Sequence, residues 1–123
     1  MTTINDNHDT SRDQYVSHKL YLEKRAGNRY YNLGYMMYKE IINDPLLANN
    51  TNLQNAILNF NIALLFNKND VDANARKKEL CDKYGPNGTL STGMTTDLMT
   101  TWENEAKAIY RNCKCWLFNL VIY

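Results

Sequence analysis

Helix breakers are scarce in this sequence: two prolines and five glycines among 123 residues leave long stretches free to stay helical. No apolar run approaches the ~20 residues that a membrane span needs. The longest, Trp116 to Tyr123, is too short even when its neighbours are counted. Neither sign of charge predominates, with 14 Lys and Arg against 13 Asp and Glu. A formal charge of +1 is too balanced for a whole face to neutralise phosphates, so nucleic acid is not an expected partner. The three cysteines, Cys81, Cys113 and Cys115, are an odd number, and Met1 to Gln14 is polar. Reduced thiols in a cytoplasmic compartment are therefore expected, which leaves the Asn49-Asn50-Thr51 and Asn87-Gly88-Thr89 sequons without use.

Chemistry-bearing motifs are also few. There is no Gly-rich phosphate loop, no Gly-x-Ser-x-Gly elbow and no convergent pair of acids, so no enzymatic activity is expected. His8 falls in the polar N-terminal stretch, and His18 sits among aromatic and basic residues with no acid at metal-ligand spacing. Cys113-x-Cys115 would send its two side chains about 200° apart on a helix, so structural buried thiols are expected and no metal or cofactor.

The residues that are present follow helical periods. From Arg12 to Asn43, Tyr15, Leu22, Ala26, Tyr30, Leu33, Met37 and Ile41 make one stripe, and Val16, Leu20, Gly27, Tyr31, Gly34, Tyr38 and Ile42 an adjoining one. The spacing predicts one long helix with a broad buried face, capped by Ser11 or Asp13 and ended by Asn43-Asp44-Pro45. Residues 1–11 carry almost nothing apolar and are expected to be a flexible arm, leaving 12–123 as one domain. A second helix is predicted from Leu53 to about Asn67, capped by Thr51 or Asn52. A third spans Val71 to Tyr84, begun by Asp70 or Asp72 and stopped at Gly85-Pro86. Leu98, Trp102, Ala106, Ile109, Cys113 and Leu117 mark a fourth, beyond which the tail to Tyr123 reads as a helix end or a buried strand-like segment. Tyr21 and Tyr35 are the tyrosines expected to be partly exposed, their neighbours being committed to helix packing.

Within the second helix, Ala56, Phe60 and Ala63 stand where a tetratricopeptide repeat places a small residue, an aromatic and a second small residue for close helix approach. The first helix supplies the matching half either as Gly27 with Tyr30 and Tyr31 or as Tyr30, Leu33 and Gly34. Lys24 to Tyr84 thus resembles that family, although its first helix and loop exceed the ~34-residue period and Lys68 replaces the usual proline. Lys24-Arg25-Ala26-Gly27-Asn28 and Lys107-Ala108-Ile109-Tyr110-Arg111 further resemble motifs of its carboxylate-clamp members, with Asn74 at a third matching place. The resemblance implies an all-α antiparallel helical fold and a peptide-binding site formed by Lys24, Asn28, Asn74, Lys107 and Arg111. Its ligand would be the acidic tail of a chaperone, such as one ending in Glu-Glu-Val-Asp, gripped through charge-assisted hydrogen bonds. The rival expectation is a small structural subunit docked through the apolar tail, which would also give a route to oligomers.

Overall fold

The computed structural model describes the backbone of residues 3–90 and 93–122 and the side chains of 13–90 and 93–117. It is all-α: helices α1 (Thr3–Asn43), α2 (Asn50–Phe66), α3 (Val71–Tyr84) and α4 (Thr96–Ile122), with a 3-10 turn at Pro45–Leu47 and no strand among the described residues. The backbone helix thus begins before the expected Arg12, and the side chains of the expected arm lie outside the described residues. Once a helix is nucleated each added residue gains a hydrogen bond, so polar caps such as Ser11 and Asp13 need not end it.

Elsewhere the ends are set by side chains. Asp44 leaves the helical region before Pro45, and its carboxylate accepts from the Leu46 N–H at 3.1 Å. The second helix opens one turn earlier than expected, because Asn49 rather than Thr51 or Asn52 accepts the orphan N–H of Asn52. Asp70 caps α3 through the Ala73 N–H at 3.0 Å, and Thr95 accepts from the Leu98 N–H at the start of α4.

The helices α1 and α2 run antiparallel and share the largest interface, while α3 and α4 each pack on α2 and scarcely on one another. Ile41, Leu53, Ile57 and Phe60 are fully buried where these helices meet, each contributing roughly 1.5–3 kcal/mol. Ala73, Leu80 and Tyr84 of α3, Met94 of the following loop and Trp102 of α4 close the same core. At Gly34 the helices approach closely: a Cβ there would lie 2.8 Å from the Phe60 ring and 3.0 Å from the Ala56 carbonyl.

The broad buried face expected along all of α1 is found only over its C-terminal half. Tyr15, Val16 and Leu20 are exposed because α2 ends at Phe66, whose Cβ faces Gly27, and offers nothing opposite the earlier turns. The tail is resolved in favour of helix, since α4 runs on to Ile122. No described helix is long and apolar enough to cross a membrane.

Candidate peptide-binding cleft

Phe66 closes the end of the core. Its ring stacks 6.3 Å from Tyr30 and meets Tyr110 edge-on at 4.9 Å, so α1 and α4 are tied together over the last turn of α2. Beyond that plug the two helices continue side by side. Tyr30 Oη lies 3.4 Å from Cys113 Sγ, and Lys114 Nζ donates to Glu23 Oε1 at 3.2 Å. The hydrogen bond with Cys113, and then burial, hold the Tyr30 hydroxyl above its ordinary range, while the Glu23 carboxylate raises the Lys114 ammonium.

Between these helices lies a cleft of about 580 Å³. Leu22, Ala26 and Tyr30 from α1 and Leu117 from α4 give it an apolar lining. Trp116 also lines it and is 64% exposed, an unusual position for an indole. Arg25 and Arg29 line the same cleft one helical turn apart. Among the described residues neither guanidinium has a carboxylate within 4.0 Å, and Arg25 sits 5.7 Å over the exposed Tyr21 ring. The arrangement can take an apolar side chain in the cleft and carboxylates on the two arginines.

The five residues expected to form one site do not line one depression. Lys24 and Asn28 are exposed one turn apart on α1, and Asn28 lines a shallow depression of that helix with Asn32, Leu33 and Met36 and with Arg25 and Arg29, which also line the cleft. Asn74 lines another at the start of α3 beside Lys68 and Asp70. Lys107 lines a third with Asn61 of α2 and Lys77 of α3, and Arg111 is exposed on α4. The cause lies in α4. It continues without a break, so Lys107 and the cleft residue Asn112 are about 140° apart around its axis.

In the sequence Arg25 stands within the Lys24–Asn28 motif without a role of its own, and Arg29 lies one residue beyond that motif. Their four-residue spacing was a usable signal, but the exposure of Trp116 follows from where α2 ends and has no local mark. Tyr21 is 53% exposed and Tyr35 half-buried, as expected of both. The thiols are more varied than expected. Cys81 and Cys113 are half-buried, but Cys115 is exposed on the outer face of α4, and all three are free. Burial pushes the Cys81 thiol up and so disfavours its thiolate. Among the described residues no group of His, Cys, Asp and Glu could hold a metal ion. Comparison with protein families, with curated proteins and with solved structures finds no match to this chain.

Proposed function

We propose that this chain is a non-catalytic protein-binding module that holds an acidic segment of a partner in the cleft between α1 and α4. One observation carries the reading: Arg25 and Arg29, without carboxylate partners among the described residues, flank an apolar cleft beside an exposed Trp116. Charges facing a cleft steer and orient a partner, and the apolar lining supplies the burial that holds it. The tight meeting of Gly34 with Phe60 supports a tetratricopeptide-like helical hairpin, and acidic chaperone tails remain one class of ligand to try in a cytoplasmic setting.

The test is fluorescence polarisation with a labelled acidic peptide carrying one Trp or Leu anchor, beside the same peptide with its acids replaced by lysine. Binding of the acidic form alone, weakened at least about tenfold by the double substitution Arg25→Glu and Arg29→Glu, is the expected result. Equal binding of the lysine form, or no loss in the double variant, sinks the proposal. Circular dichroism checks that the helices survive, which the exposure of both arginines favours.

A second reading, a structural subunit of a larger assembly, is favoured by the exposed Val16, Leu20 and Tyr21 of α1 and the exposed Trp116 of α4. It predicts concentration-dependent self-association or permanent capture of a partner. A monomer at all concentrations in gel filtration, with reversible peptide binding, favours the first reading.

A further inference from the structure

Away from this cleft, and sharing no residue with it, a smaller depression of about 200 Å³ lies over α2 with α3 and α4 on its flanks. Asn61 of α2 lines it and is only 6% exposed. Its amide nitrogen is buried and has no hydrogen-bond partner among the described residues. An unsatisfied buried amide costs about 1–3 kcal/mol, and an apolar residue at this place on α2 would avoid that cost. The position is therefore poorly explained by packing alone.

Two cations come to the same depression from different helices, Lys77 from α3 and Lys107 from α4. Among the described residues neither has a carboxylate within 4.0 Å, although Glu103 lies on the same rim one turn before Lys107. Like charges brought to one small depression repel unless an anion lies between them. With Glu103 counted, the three charges leave a net of one positive, which matches a monoanion better than a dianion. Leu64, Leu65 and Ala106 make the remainder of the lining apolar.

We infer that the Asn61, Lys77 and Lys107 depression is a binding site for a carboxylate on a short aliphatic body. The two ammonium groups hold the carboxylate at the mouth, and the hydrocarbon lies against Leu64 and Ala106. The Asn61 amide turns over by rotation of its terminal torsion, which gives its N–H₂ group an acceptor in the ligand. Two sources share this chemistry, a free short-chain acid and a glutamate side chain of a bound partner.

The test is a titration of the full chain labelled with nitrogen-15, followed through the Asn61 side-chain amide resonances. The probes are sodium butyrate, a capped Ala-Glu-Ala peptide, sodium phosphate and butylammonium chloride. Butyrate or the peptide should shift the Asn61 amide saturably with Kd of about 1 mM, phosphate more weakly and butylammonium not at all. The double variant Lys77→Gln with Lys107→Gln should weaken binding about fivefold or more. Asn61→Leu should abolish binding, read through the Lys77 and Lys107 backbone amides, while leaving the melting temperature equal or higher. Saturation by butyrate alone assigns the site to a free acid, and saturation by the peptide assigns it to a partner's side chain. No saturable shift from either at ~50 mM, an equal response to butylammonium, or unchanged affinity in the lysine variant would overturn the inference.

Discussion

Two glycines of α1 face α2, and they are not equivalent. At Gly34 an added Cβ would meet both the Phe60 ring and the Ala56 backbone carbonyl at 3.0 Å or less. At Gly27 it would meet only the Phe66 Cβ, at 3.2 Å, on the last residue of α2. Alanine improves helix propensity by about 1 kcal/mol at either site. Overpacking a closed contact costs about 1–3 kcal/mol, and backbone cannot yield as a terminal turn can. Gly34→Ala should therefore lower the unfolding free energy by up to about 2 kcal/mol after the propensity gain, whereas Gly27→Ala should be neutral or stabilising. Urea denaturation of both variants checks this, and equal losses at the two sites would contradict the contact geometry. The small-aromatic-small pattern Ala56, Phe60, Ala63 made this seam legible in the sequence, while the choice between Gly27 and Gly34 needed the register of two helices far apart in the chain.

At the scale of elements, α3 is joined to α1 by Tyr38, whose hydroxyl donates to Glu79 Oε1 at 2.5 Å. Burial, then the bond to Glu79, raises the Tyr38 hydroxyl above the usual ~10. A tyrosine held neutral in the fold contributes stability that is fully present below its unfolded pKa and lost as pH rises through the folded one. Tyr30 and Lys114 are raised as well and act in the same alkaline window, and Cys81 opens the decline nearer pH ~8.5. Tyr38→Phe should cost about 1 kcal/mol at neutral pH, and its deficit against the parent should narrow above pH ~10. Unfolding curves at several pH values read the difference directly, and a deficit that stays constant across the range would rule this out. The order and type of the helices were legible because apolar periods and caps are local, and α3 has the expected limits. The bare half of α1 was not, since its stripe of Tyr15, Leu22 and Ala26 looks the same whether or not α2 extends to meet it.

Over the whole molecule, the near-neutral total conceals a division of charge. Residues 13–30 of α1 and 107–117 of α4 together carry seven Lys and Arg against two acids. The intervening 31–106 carry nine acids against six bases. The described residues at the end that holds the cleft are thus mainly basic, which disfavours docking of a second copy by the same end. Binding of an acidic segment should consequently weaken by about tenfold as salt rises from ~50 to ~300 mM, while a purely apolar association would hold or strengthen. Affinity measured across that range separates the two, and a flat response excludes steering by the arginines. Bulk charge pointed away from nucleic acid but could not show this polarity, because it arises when the distant ends of α1 and α4 are laid together. For the same reason Asn74 and Lys107, chosen by resemblance, line other depressions, whereas Asn28 stands beside the arginines that line the cleft.

The two tryptophans divide in the same way. Trp102 is 2% exposed within the core, and Trp116 is 64% exposed at the rim of the cleft. The unlabelled chain therefore emits from one indole sealed in hydrocarbon and one in water. An aqueous quencher reaches only the second, so the chain carries its own optical gauge of whether the cleft is filled, with the first as a fixed internal reference.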